Sequence, residues 1–517
     1  MCMAAKVHQE EDIRIQLFNS FMECPHRDTD KLKEIHETLR SKDPIFYAKL
    51  GAWYRKNGEL RDHNEVFASM LITDPFTDNR EVGLALFREH APFLKTRILG
   101  FIKGKKIKIR TKTDKKIKIG KKTVSEVLID EKVVGMLKNA PTCLRTEVAA
   151  YLKWLEENSE AFDAVSIKNL KHLKTLYCSF GFHPKTKRAT DIIFNKKYPE
   201  DSKRAVFAKI SSASPAEAAK MIVENKIPFT TAVGLVDTMT PSVLIALVNS
   251  MSPQELINNI ASLKEKGAFD NPALKVLIES KLDKAKKSGN VSTLKSKTAK
   301  NTGRINDAGI EKKLDDVADA QAMKRGTISA DTAIFIDKSG SLDKAIEVGK
   351  QVAALISGVA VSKLHVLCFD TAARVITATG KTLSDWERAF KGINADGGTS
   401  IGAALDYLIR MKARVDQIIV ITDEDENADP YFHTVYPRYV KEFGVSPRVV
   451  IINGFGPKRV FRNYLTSAKI EHEVYKPKSG DYYGLPGLIP LLGKNSKLDL
   501  IYSIMEEPLP KRKPFRV

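Results

Sequence analysis

Through most of residues 1 to 285, apolar residues recur at three- and four-residue spacing, the period of amphipathic helices. The stretch "SPAEAAKMIVEN" opens with Ser214, Pro215 and Glu217: an N-cap, a first-turn proline and a capping-box acid. "SPQELINNIASLKEKG" repeats that grammar with Ser252, Pro253 and Glu255 and stops at Gly267. Between them, "TPSVLIALVNSM" starts at Thr240-Pro241. Helices of about 9 to 14 residues joined by short turns predict stacked antiparallel pairs, an α-solenoid whose repeats are too degenerate to fix a period.

The pattern then changes three times. In "FIKGKKIKIRTKTDKKIKIGKKT", residues 101 to 123, isoleucine and threonine alternate with lysine. That period of two predicts a protruding β-hairpin turning at Thr113-Asp114-Lys115-Lys116, with a mobile loop as the alternative. From 286 to 328 the chain is polar and repetitive, a linker or strap with room for a helix in "EKKLDDVADAQAMKRG". From 329 to 517, short apolar runs ("TAIFIDKS", "SKLHVLCFD", "VDQIIVITDE", "RVVIINGFG") alternate with amphipathic stretches. Strands apolar throughout predict a parallel sheet covered by helices on both faces. At 517 residues the chain is too long for one core, so a multidomain protein is expected, all-α first and α/β second.

Charge sharpens this division. The formal net charge is +21. Residues 331 to 517 hold 26 Lys+Arg against 22 Asp+Glu, which leaves 58 against 41 for residues 1 to 330. A basic excess confined to one region favours a polyanion partner there, nucleic acid above all, over a protein merely kept soluble by lysine. Two clusters are candidates for that contact. One is the predicted hairpin with Lys105, Lys106, Lys108 and Arg110. In the other, Lys168, Lys171, His172 and Lys174 fall at helical spacing and make one cationic face, with His183, Lys185, Lys187 and Arg188 in the following turn. Such a cluster neutralises phosphates without reading bases, or is simply a solvated helix face. Tyr177 and Phe180 could stack on bases, but their place in an apolar stripe favours the core.

Several function classes are set aside. No apolar run approaches the roughly 20 residues that span a bilayer. The N-terminal stretch lacks the apolar core of a secretory signal, and the five cysteines form no CxxC pair. A cytoplasmic protein without disulfide framework or zinc site is expected. Walker A, GxSxG and HExxH motifs are missing, and Cys178 with His183 lacks an orienting group, so no catalysis is expected.

In a parallel α/β sheet, ligands bind at the carboxyl ends of strands. Three predicted strand ends carry oxygen donors. The first supplies Asp337, Ser339 and Ser341 at alternate positions, the second Thr399 behind Gly397 and Gly398, and the third Asp423. Hydroxyls with two carboxylates form an all-oxygen set suited to Mg²⁺ or Mn²⁺ with retained water.

D-x-S-G-S, a later G-G-T-S, then T-D-E resemble the metal-ion-dependent adhesion site of a von Willebrand factor A domain, which is Rossmann-like. That resemblance implies Asp337, Ser339 and Ser341 as first-loop ligands, Thr399 and Asp423 as later ones, and an open position that accepts a partner's acid. Upstream, "DPIFYAKLGAWYRKNGELRDHNEVFASMLITD" resembles the opening of a TROVE domain, the HEAT-like ring of Ro autoantigens and their bacterial relatives. It carries Tyr54-Arg55 and Gly58-Glu59-Leu60-Arg61. "SIKNLKHLKTLYCSFGFHPKTKRA" resembles the family's basic helix and His-Pro turn. "NKIPFTTAVGLVDTMTPSVLIALVNSMSPQELINNIASLKEKGAF" resembles its closing repeats, and the order of the two domains agrees. The resemblance implies a ring shut by the von Willebrand A domain. It also implies binding of small noncoding (Y-like) RNA and of the 3′ ends of misfolded RNA, with an exoribonuclease as possible recipient. The protein would be a monomer within a ribonucleoprotein, with Arg55 and Arg61 among its RNA contacts. A protein-interaction scaffold that captures a carboxylate through magnesium is the alternative. The lysine-rich 101 to 123 segment does not belong to the family's core pattern.

Overall fold

The computed structural model describes residues 17–18, 20–21, 29–58, 60–103, 105–119, 122–134, 136–236, 238–288, 291, 296, 299, 305–324, 326–340, 343–453, 455–476, 485, 487–493 and 497–516; within 105–134 only the backbone is described. The chain divides into two compact units. A helical unit comprises Asp30–Lys56, Arg61–Asp237 and Glu507–Val517. The other comprises Met1–Thr29, Asn57–Leu60 and Thr238–Glu506 and contains a six-stranded sheet.

The helical unit begins with α1 (Thr29–Lys42), α2 (Pro44–Asn57), α3 (Arg61–Ile72), α4 (Thr77–Glu89) and α5 (Pro92–Ile102). Helix α3 packs against both α4 and α5 and is buried from Asp62 to Ile72 with the exception of Asn64. Its inward side meets Tyr47, Tyr54 and His36, all within the core. After the hairpin β1 (Lys105–Ile119) and β2 (Lys122–Val134) come α6 (Thr142–Glu157), α7 (Ser159–Phe180) and α8 (Lys187–Thr190), the last running into a π-helical turn at Asp191–Asn195. Helices α9 (Lys203–Ile210), α10 (Pro215–Asn225) and α11 (Phe229–Ala232) complete it. The capping box expected at Ser214 and Glu217 is formed at the start of α10.

The hairpin differs from expectation. Both isoleucine runs lie on β1, which pairs antiparallel with β2, so the chain does not reverse at Thr113–Lys116. The sequence phase explains this: Ile107, Ile109, Ile117 and Ile119 all occupy odd positions, so one strand keeps the alternation across the polar interruption. A register shift between Lys112 and Lys116 absorbs the irregularity. The partner strand contributes acids, and register sets Lys108 opposite Glu131 and Ile109 opposite Asp130. The hairpin is therefore less uniformly cationic than its first strand.

In the second unit, α12 (Pro241–Ser250) and α13 (Pro253–Glu265) start at the predicted caps, Thr240 and Ser252, whose side chains accept from Val243 N and Glu255 N. Helix α14 (Pro272–Lys287) packs on α15 (Ala308–Met323), the helix anticipated within the polar 286 to 328 stretch. Gln321 of α15 donates to the carbonyls of Ala285 (2.9 Å) and Ser288 (2.8 Å), which satisfies the carbonyl end of α14.

The sheet follows. It consists of β3 (Thr332–Asp337), β4 (Leu364–Phe369), β5 (Ala373–Val375), β6 (Gln417–Ile421), β7 (Arg448–Ile452) and β8 (His472–Tyr475), in spatial order β5-β4-β3-β6-β7-β8. Strands β3 and β6 are buried at every residue, which is why the sequence shows them as unbroken apolar runs. Helices α16 (Asp343–Val359), α17 (Leu383–Ala389), α18 (Ile401–Arg410), α19 (Phe432–Phe443) and α20 (Val460–Ser467) connect them. The sheet is mixed rather than wholly parallel, because β5 runs antiparallel to β4 at one edge. It also has an unforeseen strand, β8, at the other. Gly349 lets α16 lie against β3: a Cβ there would stand 2.6 Å from Ile336 Cγ2. The chain leaves β3 to one side for β4 and returns to the other side for β6, so a topological switch point falls between β3 and β6.

Candidate metal centre and nucleic-acid interface

The oxygen donors gather at that switch point. Asp337 ends β3 and is fully buried. Its Oδ1 accepts from Ser339 N (2.9 Å) and its Oδ2 from the Thr422 hydroxyl (2.6 Å), the residue that follows β6. Burial, aided by the charge of nearby Asp423, pushes the Asp337 carboxyl up to about 6 against those hydrogen bonds. Ser339, Thr399 and Asp423 are buried as well. Ser341 lies outside the described residues.

Backbone bonds tie the three loops together. Asp396 N donates to Lys338 O (2.7 Å) and Gly340 N to Gly397 O (3.3 Å), joining the first loop to the second. Asn427 N and Ala428 N donate to Thr399 O (2.9 and 3.0 Å), joining the second to the third. Gly402 permits the latter approach, since a Cβ there would lie 2.2 Å from Pro430 O. Asp423 accepts from Asp425 N (3.1 Å), and its Oδ2 stands 3.6 Å from the Lys458 ammonium. Glu424 is buried at φ 70° and held by Arg462 and Asn453, so it fixes the loop. Among the described residues no group of three or more His, Cys, Asp or Glu could hold a metal. An ion here would depend on hydroxyls and water beside Asp337 and Asp423, and that donor chemistry fits a small hard dication.

The basic residues of the helical unit fare unevenly. Helix α7 leaves helical geometry at Asn169 (φ −125°, ψ 21°), so the cationic face predicted from 168 to 174 is not continuous. Lys168, before the break, lines a cleft. Lys171 and Lys174 are exposed beyond it, the latter 5.3 Å from the Phe194 ring. His172 is half-buried, shares a hydrogen bond with Thr96 (2.9 Å), and is held below the usual histidine range by burial and Lys171. His183, Lys185 and Lys187 are exposed.

The Arg188 guanidinium donates twice to Asp163 (3.1 and 2.7 Å) and once to Asp201 (2.7 Å), so it ties α8 to α7. Arg55 is paired with Glu89 (2.9 Å), and Arg61 with Glu65 (3.4 Å) and the Phe93 ring. Lys105, Lys106, Lys108 and Arg110 occupy β1, where their side chains lie outside the described residues. Tyr177 and Phe180 are buried core, as their pattern predicts.

The cleft reached by Lys168 has a volume of about 1240 Å³ and lies wholly within the helical unit. Eight lysines and arginines line it against three glutamates. Arg55, Arg88, Lys95, Lys203 and Lys226 come from elements far apart in sequence, and Tyr151 and Trp154, stacked 6.3 Å apart, supply aromatic surface. Arg88 is aimed by a two-point bond to the buried Glu147 (2.6 and 2.8 Å). Burial pushes the Lys95 ammonium down to about 7 against the pull of Glu147; it donates to the carbonyls of Arg88 and His90 at the end of α4. Of these residues only Arg55 and Lys168 stood out in sequence. The Tyr151/Trp154 spacing was visible but looks like any buried helix stripe.

The chain thus combines a helical unit with an α/β sheet that carries hydroxyl and carboxylate donors at its switch point. Among solved structures, the chain is similar to the crystal structure of the Ro (RSR) protein of Deinococcus radiodurans, with a TM-score of 0.58 and 13% identity over 91% of this chain and 98% of that one. The likeness is one of fold. No model of a known protein family matches the sequence, and no curated protein does. Among the described residues no helix is long and apolar enough to cross a membrane.

Proposed function

We propose that this chain is a non-catalytic RNA-binding protein of the Ro type. It takes up small noncoding RNA and the single-stranded 3′ ends of misfolded or defective RNA, and hands substrates to an exoribonuclease partner. The observation that carries this reading is the cleft: six cations from the helices and turns, with two more from segment 507–516, face three acids beside an aromatic pair. Cations along a groove neutralise successive phosphates, and exposed rings stack on bases of any sequence. The protein acts in the cytoplasm as a monomer within a ribonucleoprotein. The test is to crosslink and sequence RNA that co-purifies with the intact chain. Crosslinks on α6, α7 and α9 are expected; a chain purified free of nucleic acid that also ignores added single-stranded RNA contradicts the proposal.

Asp337, Ser339, Ser341, Thr399 and Asp423 would hold the magnesium ion that the von Willebrand A resemblance implies. Bound there, the ion supplies an open coordination position for a partner's carboxylate. Thr422 and the backbone at Ser339 orient Asp337 for that role. The burial of Asp337, Ser339, Thr399 and Asp423 and the ties between their loops also favour the second reading, a magnesium-dependent scaffold. In that case Asp337→Ala abolishes capture of a protein partner, and RNA is irrelevant to it.

A further inference from the structure

The cleft is partly filled by the chain itself. Residues 508–516 form no regular structure. Lys49 donates to Glu507 O (2.7 Å), Arg88 donates to Lys513 O (2.8 Å), and Arg512 pairs with Glu81 (2.9 Å) and Glu147 (3.2 Å). The segment ends with the Phe515 ring in the cleft, its centroid 5.5 Å from that of Tyr151 and 5.7 Å from that of Trp154. The Arg88 guanidinium lies 4.2 Å from the Phe515 ring.

We infer that the slot filled by Phe515 is a nucleobase site for single-stranded RNA, and that segment 507–516 is a built-in competitor for it. The inference rests on the RNA-binding reading above. A flat ring bordered by a guanidinium and two aromatic rings, with Lys168, Lys203 and Lys226 on the same cleft, matches how single strands are held: stacking takes the base and cations follow the backbone. The hold on the segment is also of a kind that RNA can break. Its ion pair with Glu81 joins two partly exposed side chains and is screened by salt, and the buried Glu147 keeps Arg88 as a partner when Arg512 leaves. The segment is itself basic, with Lys511, Arg512, Lys513 and Arg516, and it sits in a cleft already rich in cations. An arriving polyphosphate therefore attracts the cleft and the segment at once, and Phe515 leaves as the base enters.

The test uses the full chain and a fluorescein-labelled single-stranded RNA oligomer, read by anisotropy. Phe515→Ala should bind about threefold to tenfold more tightly, because the binding-competent state no longer has to be opened. Trp154→Ala should bind about tenfold more weakly, and in that background the Phe515→Ala gain should largely vanish. Saturating RNA should also change the emission of wild-type Trp154, since Trp53 and Trp386 are buried. RNA bound equally well or less well by Phe515→Ala, or saturation without any change in emission, overturns the inference and leaves the RNA reading standing. No binding by any of these proteins overturns both.

Discussion

Asp337, Ser339, Thr399 and Asp423 are buried on loops locked together by backbone bonds, whereas Lys168 and Lys226 are exposed and stand among cations drawn from five helices, the turn after α10 and segment 507–516. The first arrangement concentrates its chemistry in a few side chains that cannot be exchanged. The second spreads it over many, each dispensable. The contrast follows from the ligands each suits: a small ion needs several oxygens at fixed distances, while a polyphosphate needs summed charge along a surface. Point changes should therefore act all-or-none in the sheet unit and by increments in the cleft.

The largest effect expected in the helical unit concerns support for the cleft rather than its lining. Glu147 is buried and holds both Arg88 and Arg512, so Glu147→Ala leaves Arg88 without its partner. A loss of about 3 to 5 kcal/mol in urea unfolding is expected. A loss below about 1 kcal/mol would mean that the cleft is not organised by this pair.

Next in size is Asp337→Ala. It should weaken Mn²⁺ binding, followed calorimetrically, by about a hundredfold or more while RNA affinity stays as it is. A parallel loss of both would show that the two regions are not separable.

The units should also respond oppositely to pH. For Lys95 the folded value of about 7 lies below its ordinary 10.5, so between those pH values the unfolded chain holds a proton the folded chain lacks. Stability of the helical unit should rise with pH in that window, by at most about 1.4 kcal/mol per unit. Glu65, pushed up to about 7 by burial, opposes this near neutrality, so the range from about pH 8 to 10 isolates Lys95. For Asp337 the folded value of about 6 lies above 3.8, so there the folded chain holds the extra proton. Metal-free stability of the sheet unit should fall as pH rises through that window. Urea melts read by Trp154 and by Trp386 report the two slopes, and slopes of one sign would remove the contrast.

Smallest are the single cations. Lys203→Ala and Lys226→Ala should each weaken RNA binding about twofold to fivefold, uniformly across sequences, and lower the salt slope by about 0.7. A loss confined to one RNA sequence would mean that the cleft reads bases.

What the sequence disclosed follows the same division. Strands β3, β6 and β7 were legible because burial on both faces leaves few polar interruptions, as was β4 despite His365. Of the metal donors, Asp337 ends such a run and Asp423 follows one by two residues, whereas Thr399 was legible from Gly397 and Gly398 before it, in the loop that leads to α18. Edge strands escaped notice: β5 has three residues, and β8 has four, opening with His472 and Glu473 before Val474 and Tyr475. Arg188 looked like one more cation in a basic run, because its partner Asp163 lies 25 residues upstream. The hairpin turn was misplaced by a polar tetrapeptide that the odd-numbered isoleucines overrule. The cleft escaped almost entirely. Its lining comes from α2, α4, α5, α6, α7, α9 and α10, from the turn after α10 and from segment 507–516, and no local pattern announces such an assembly.

The central claim is that this cleft holds single-stranded RNA through its phosphates. Anisotropy titrations of one unstructured oligomer between about 50 and 200 mM KCl test it most directly, because each neutralised phosphate releases counterions. A straight line of log affinity against log salt with a slope of about −3 or steeper is the predicted result. Affinity that stays level across that range would contradict it.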